Sequence, residues 1–278
     1  MDTSASALAR LQTVLNQPQA PAVMWQDAFD YDPSHYGRLC QSEPPLAIDL
    51  LNYALDLTYE PVIQTDLLRF LLPKLLEAWR EALLGNTNYQ GFLEHFWLAI
   101  ARRTDWPLLL SETGWQTLLA YMRCSITECL NQPSPGYDGI YAVAAYASAC
   151  PDFALLWDAW WQTEQPQAAW VLRQWLSCLV YLESENPCFL YSVPDLSETG
   201  AHLYEGWRPD AIAHVCQCLS VASIEVNLRR LPLLPKGTQA DALATQMQAE
   251  FADRCYLLEL RLLQLPQVLA NPWIGFEI

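Results

Sequence analysis

Apolar side chains recur at intervals of three and four residues over long stretches of this sequence. In one such stretch, the recurring positions are Leu67, Leu68, Leu71, Leu72, Leu75, Leu76, Trp79, Leu83 and Leu84. Residues three and four apart lie on one face of an α-helix, so this spacing predicts an amphipathic helix with a broad buried face. The pair Thr65-Asp66 favours a helix start, and the pair Gly85-Asn86 favours an end. Pro73 lies inside and predicts a kink.

The same spacing, together with residues that start and end helices, predicts helices along most of the chain. We expect them at 4–16, 65–84, 89–102, 111–130, 137–149, 210–228 and 238–265, and after Ser42, Pro151 and Pro166. The helix after Ser42 is expected to hold Pro44 and Pro45 in its first turn and to bury Leu46. The one place where short strands would fit is 189–193.

Roughly ten helices with short connections predict an all-α fold, an array of antiparallel helical hairpins. No repeat consensus recurs at a fixed period, so the pattern does not indicate a regular solenoid, whereas a degenerate HEAT-like stack fits it. We expect a single domain over residues 1–278, whose subdivision, if it has one, falls near 131–136. The stretch 183–209 is rich in proline and glycine and is expected to be a long loop.

Composition predicts a folded protein, and the cytoplasm is the expected compartment. Hydrophobic residues make up 52% of the 278 residues and aromatic residues 12%, which is enough apolar surface to offset the entropy of ordering the chain. No stretch has the roughly 18 uncharged apolar residues of a membrane span. Residues 1–10 lack the basic and apolar regions of a secretory signal. Several of the nine cysteines lie in apolar helical stretches, so we expect reduced thiols.

The net charge restricts which partners this chain can bind. Fifteen basic and 31 acidic side chains give a formal charge of −16. Nucleic acids and acidic membrane surfaces are bound through clustered lysine and arginine. The largest such clusters here are the pairs Arg102-Arg103 and Arg229-Arg230. We therefore expect neither nucleic acid nor a membrane as partner.

No motif in the sequence predicts a catalytic site. The chain has neither a Gly-x-Ser-x-Gly elbow nor a glycine-rich phosphate loop, and nothing marks one cysteine as a nucleophile. The most suggestive cluster is His214, Cys216 and Cys218, because imidazole and thiolate groups bind zinc. On a helix only His214 and Cys218 share a face, and a structural zinc site needs four ligands, so the spacing favours core thiols beside a histidine. We expect a non-enzymatic protein without a metal or cofactor site.

The distribution of acids is more informative than any motif. Arg38 is the only basic residue of 11–66, and Arg173 is the only one of 124–207, while carboxylates are frequent in both stretches. Both stretches are expected to present a negative surface. Such a surface either keeps a tryptophan-rich fold in solution or steers a basic protein partner toward the chain.

Two segments combine acids with aromatic residues, which are the usual anchors of protein interfaces. In the segment 25–36 the expected anchors are Phe29, Tyr31 and Tyr36, and the second segment is 183–208. The predicted partner-binding residues are Asp27, Asp30, Asp32, Glu183, Glu185, Tyr191, Asp195, Glu198, Tyr204, Glu205 and Trp207. The expected partner is a basic protein.

Residues 55–103, which begin LDLTYEPVIQ and end AIARR, resemble segments of uncharacterised acidic, helical bacterial proteins. Some proteins of this type are immunity proteins of toxin systems, which block a basic nuclease or another effector. The resemblance therefore implies an immunity protein or inhibitor that neutralises a basic bacterial toxin by occlusion. It covers about a fifth of the chain and assigns no residue a function.

Two other functions remain open on the sequence. One is a helical scaffold or adaptor that binds peptides or proteins in a groove of the helical array. The other is an enzyme or small-molecule binder with an apolar pocket lined by tryptophan and tyrosine.

Overall fold

The computed structural model describes residues 3–29, 32–133, 136–181, 206–233, 238–271 and 274–276, without the side chains of 90, 136–138 and 239–240. Over these residues the chain forms thirteen α-helices and one 3-10 helix, Thr87–Tyr89, and it contains no strand. The all-α prediction is confirmed. The predicted HEAT-like packing stays a prediction. The strand position 189–193 lies outside the described residues, and so does the loop predicted at 183–209 as far as residue 205.

The chain divides into two compact units, Met1–Ser125 and Ile126–Ile278. This division falls inside one helix, α7 (Glu112–Leu130), rather than in the connection at 131–136. The prediction that both units belong to a single domain stays a prediction.

The first unit is built from six helices and the start of α7. They are α1 (Ser4–Leu15), α2 (Ser34–Gln41), α3 (Ala47–Tyr59), α4 (Thr65–Leu83), α5 (Gln90–Arg102) and α6 (Trp106–Leu110). The core lies where α3 packs against α5 and where α4 contacts α1 and α5. The leucine stripe predicted for α4 is buried as far as Leu83, and Trp79 packs edge-on against Trp97 at 5.3 Å between ring centres. Pro73 lies inside α4, as predicted.

The structure corrects two features of this unit. The helix expected after Ser42 begins only at Ala47, and Leu46 is 52% exposed instead of buried. The physical reason is that a residue before proline is disfavoured in the helical conformation, which applies to both Glu43 and Pro44. Helix α2 was not predicted, because its eight residues supply too few apolar positions to show a period.

The second unit contains the remaining six helices and the end of α7. They are α8 (Gly136–Ala149), α9 (Phe153–Trp161), α10 (Pro166–Val180), α11 (Pro209–Cys218), α12 (Val221–Arg230) and α13 (Gln239–Ala270). The long helix α13 packs against α10, α11 and α12, and α9 packs against α8, α10 and α11. Two buried arginines, Arg173 and Arg261, donate hydrogen bonds to backbone carbonyls inside this unit.

The single helix predicted for 210–228 is wrong, since the chain forms α11 and α12 at an angle of 76° to each other. The break is encoded by Ser220, whose hydroxyl accepts a hydrogen bond from the backbone N–H of Ser223 at 3.0 Å. The Ser223 hydroxyl in turn lies 2.8 Å from the backbone N–H of Ser220 and accepts from it. This reciprocal arrangement caps the start of a new helix.

In the described part of the chain, no single helix is both long enough and apolar enough to cross a bilayer. Helices α11 and α12 reach that length and composition only as a bent pair.

Residues 206–208 lead into α11 through a narrow space beside the end of α13. The backbone N–H of Trp207 donates to the carbonyl of Leu269 at 2.8 Å, and that of Arg208 donates to the carbonyl of Ala147 at 3.1 Å. A Cβ atom on Gly206 would lie 1.9 Å from the carbonyl oxygen of Ala270. Only glycine allows the two backbones to approach this closely.

The first prediction is that Gly206→Ala destabilises the protein. Because the clashing atom belongs to the backbone of α13, we expect the free energy of unfolding to fall by about 1–3 kcal/mol. Gly91→Ala is the matched control, since a Cβ at Gly91 in α5 meets no atom within 4 Å. Urea denaturation of both variants measures the difference, and equal stabilities would contradict the close approach.

Candidate functional site

The structure describes three of the eleven predicted partner-binding residues, Asp27, Asp32 and Trp207. Asp27 and Asp32 are exposed, as a binding surface requires. The remaining eight lie outside the described residues: Asp30, Glu183, Glu185, Tyr191, Asp195, Glu198, Tyr204 and Glu205.

Trp207 is not an exposed anchor, because its side chain is only 3% accessible. Its ring packs against Phe153 at 5.2 Å and stacks on Trp175 at 6.4 Å between ring centres. Trp175 meets Trp157 edge-on at 5.3 Å. Trp207 therefore belongs to the aromatic core of the second unit rather than to a surface.

The acidic and aromatic surface that the structure does describe lies on the first unit, at residues 23–29. This segment is not helical, and exposed side chains alternate with the buried Gln26 and Ala28. Trp25 is 56% exposed and Phe29 is 45% exposed, with the carboxylate of Asp27 between them. Large aromatic side chains are normally buried, so their exposure on one segment is informative.

A single glutamine holds the first half of this segment. Gln64, at the start of α4, is buried; its side-chain oxygen accepts from the backbone N–H of Trp25 at 2.9 Å. Its side-chain nitrogen donates to the carbonyl of Val23 at 2.8 Å. The backbone N–H of Gln64 donates to the side-chain oxygen of Gln26 at 2.9 Å. The side chains thus supply the partners that a strand or helix would otherwise give this backbone.

A buried carboxylate holds the second half. One oxygen of Asp56, on α3, accepts from the backbone N–H of Phe29 at 2.7 Å. The other lies 2.9 Å from Nε2 of His35, whose Nδ1 lies 2.6 Å from the carbonyl oxygen of Asp32. The side chains of Asp56 and His35 are fully buried. A carbonyl oxygen only accepts hydrogen bonds, so Nδ1 of His35 donates its proton to the carbonyl of Asp32. The contact between Nε2 and the Asp56 carboxylate then needs a second proton, which the two side chains share.

Tyr36, one of the expected aromatic anchors, is buried instead of exposed. Its hydroxyl donates to the carbonyl of Asp27 at 2.9 Å, so this buried side chain helps to fix the backbone of residues 23–29. Burial, followed by the nearby carboxylate of Asp56, raises the pKa of Tyr36 well above its usual range. The hydroxyl therefore keeps its proton and remains a donor.

The acidic run 11–66 is less negative at the surface than its sequence suggests. Asp49 and Asp56 are both fully buried. Asp49 accepts a bidentate hydrogen bond from Arg38, with the shorter contact at 2.6 Å. Two of the eight acids of this run therefore serve the interior and do not contribute to the expected negative surface.

The exposed aromatic surface continues from the segment onto α3. The ring of Phe29 stacks on that of Tyr59, with 4.7 Å between ring centres. Tyr59 and Val62 are exposed, and Arg102 lies over the Tyr59 ring at 5.6 Å. Rigid aromatic rings of this kind offer a partner a large contact area at a low entropy cost.

The hollow between α12 and α13 does not have the tryptophan and tyrosine lining that the small-molecule alternative predicts. Its volume is about 110 Å³, and its lining contains one aromatic ring, that of Phe251. Small-molecule sites usually measure roughly 300–1,000 Å³. The enzyme and small-molecule alternatives therefore gain no support from this hollow.

A second polar cluster lies on the second unit. His214 and Cys218 share a face of α11, as the spacing predicts, and α9 adds Asp158 to them. Nε2 of His214 lies 2.7 Å from Oδ1 of Asp158 and 3.9 Å from Sγ of Cys218. Sequence spacing could not reveal Asp158, because it lies 56 residues before His214.

Comparisons with known proteins assign this chain to no group. No family model, no curated protein and no solved structure matches it.

The second prediction concerns the buried His35–Asp56 pair. His35→Ala removes the imidazole from one oxygen of the buried Asp56 carboxylate, so we expect the free energy of unfolding to fall by about 3–5 kcal/mol. His95→Ala in α5 is the matched control, because the half-buried ring of His95 contacts the Gly91 carbonyl of its own helix at 2.9 Å. Denaturation of both variants measures their free energies of unfolding. A loss as small as that of the control would show that the buried pair does not stabilise the fold.

Proposed function

We propose that this chain is a non-enzymatic protein-binding protein that engages a basic protein partner through residues 23–29 and the adjoining face of α3. The observation that carries the proposal is the exposure of Trp25 and Phe29 on a non-helical backbone held by buried side chains. Exposed aromatic rings cost free energy in water and gain it when a partner covers them. The site thus has the chemistry of an interface anchor.

The fixed backbone favours binding because the segment loses little conformational freedom when the partner binds. Gln64, Asp56 and Tyr36 hold residues 23–29 by hydrogen bonds between their side chains and the backbone of the segment. An interface whose groups are already ordered avoids much of the entropy cost of association. Such preorganisation is a feature of inhibitors that bind by occlusion.

The sign of the surface charge favours a basic partner. Asp27 is exposed on the segment, Asp32 is exposed three residues after the segment ends, and the half-buried Glu60 follows the end of α3. The whole chain carries a formal charge of −16, so its field attracts a positively charged protein from a distance. The resemblance of residues 55–103 to immunity-type proteins is consistent with this reading, and a toxin or other bacterial effector is the proposed partner.

The third prediction tests the aromatic anchors. The protein is used to capture its partner from the native host at low ionic strength, and the purified partner is titrated against variants by calorimetry. We expect a basic protein that binds one to one, and a Kd that rises about 30-fold for Trp25→Ala. Leu108→Ala is the matched control, since Leu108 is 84% exposed on α6 and should leave the Kd unchanged.

Neutralising exposed carboxylates distinguishes long-range electrostatic attraction of the partner from direct contact by the aromatic side chains. Asp27→Asn combined with Asp32→Asn should slow association and flatten its dependence on salt, while Glu112→Gln on α7 should not. The proposal fails if no stoichiometric partner is captured, if the partner is acidic, or if Trp25→Ala binds it as tightly as the unaltered chain.

A further inference from the structure

We propose that Asp158, His214 and Cys218 form a binding site for a single divalent transition-metal ion, with zinc as the best match. The site lies on the second unit and is independent of the protein-binding surface proposed above. One ligand atom of each residue, a carboxylate oxygen, Nε2 and Sγ, lies within 4.8 Å of the other two. Three different ligand types therefore converge on one point.

The helices supply this convergence without distortion. His214 and Cys218 are four residues apart on α11, so they lie one above the other on the same face. Helix α9, which packs against α11, carries Asp158 to that face. Cys216, two residues before Cys218, lies on a different face and does not join the cluster.

The contacts suit a metal ion better than a catalytic relay. In a cysteine–histidine–aspartate relay the acid and the thiol use different ring nitrogens. Here both Asp158 and Cys218 approach the same atom, Nε2 of His214. One N–H cannot serve two electron-rich atoms in line, whereas one cation placed between the three atoms interacts favourably with all of them.

The distances leave room for the ion after a small movement. Zinc lies about 2.0–2.3 Å from oxygen, nitrogen and sulfur ligands, so atoms that share one ion are roughly 3–4 Å apart. The 3.9 Å between Nε2 and Sγ already has this value. The 2.7 Å between Nε2 and the carboxylate has to widen, and the exposed side chain of Asp158 has room to rotate.

The charges in the cluster call for a cation. The carboxylate of Asp158 and the thiol of Cys218 both lie next to Nε2 of His214. A divalent ion placed between the three groups stabilises carboxylate and thiolate together. On binding, the thiol proton goes to solvent, the imidazole keeps its proton on Nδ1, and the two negative ligands balance the two positive charges.

The scaffold around the cluster is held in place by α12. The hydroxyl of Ser223 donates to the carbonyl of Cys218 at 2.8 Å, which fixes the end of α11. The side-chain nitrogen of Asn227 donates to the carbonyl of Trp161 at 2.9 Å, which fixes the end of α9. Ligands on helices tied together in this way keep their positions when the metal is absent.

The ligand set also indicates the kind of metal and its coordination. Magnesium and calcium prefer oxygen ligands, whereas imidazole and thiolate select zinc and similar ions. Three protein ligands leave a fourth tetrahedral position, and the exposure of Asp158 opens it to water. The site is thus of the open kind, in which water or an external ligand completes the coordination.

The fourth prediction tests the site with cobalt(II), which reports its ligands spectroscopically in place of zinc. We expect the reduced full chain to bind one cobalt ion, with a thiolate-to-metal charge-transfer band and the visible bands of a tetrahedral site. Zinc should displace the cobalt. Calorimetric titration with zinc should show one site whose Kd rises at least ~10-fold in His214→Ala and in Asp158→Asn.

Cys218→Ser and Cys216→Ser form the decisive matched pair, since both remove one partly buried thiol from the same helix. Cys216→Ser should keep the charge-transfer band, and Cys218→Ser should lose it. Circular dichroism of both variants checks that they fold. A band that survives in Cys218→Ser, a band lost equally in both folded variants, or the absence of one-to-one cobalt binding overturns the proposal.

Discussion

The buried carboxylate of Asp56 is the group on which the exposed surface of the first unit depends. It sits on α3 and connects the backbone of Phe29 with the imidazole of His35, which reaches the carbonyl of Asp32. A charged group in the interior is tolerated only when its oxygens are paired. If residues 23–29 moved away, one oxygen of the buried Asp56 carboxylate would lose its hydrogen bond, which costs free energy. The same contacts that stabilise the fold therefore present Phe29 and Trp25 to solvent.

In the second unit, two buried arginines form hydrogen bonds with backbone carbonyls. Arg173 donates to the carbonyls of Leu231 and Pro232, where the chain leaves α12. Arg261, on α13, donates to the carbonyls of Cys178 and Leu179 in the last turn of α10, where a positive charge also suits the helix dipole. In both units, buried charged side chains satisfy backbone groups that regular secondary structure leaves unpaired. Burial lowers the pKa of Arg173 to about 10.

The two proposed sites use different chemistry and make separate demands on the chain. The protein-binding surface relies on exposed aromatic rings and a negative field, and its affinity should respond to salt. The metal site relies on three ligand atoms whose positions are set by the packing of α9 against α11. Failure of one proposal leaves the other intact, because Asp56 and Asp158 belong to different units.

The sequence by itself determined the charge and most of the helices, apart from α2, α6 and the break between α11 and α12. The leucine period of α4 and the acids along the chain could be read directly, because helical periodicity and composition are local properties. Only the tertiary structure decided that Asp56 is buried against a histidine 21 residues away, that Trp207 belongs to a core, and that Asp158 meets His214. These outcomes depend on which helix faces pack together, and residues far apart in sequence carry no local signal of that packing.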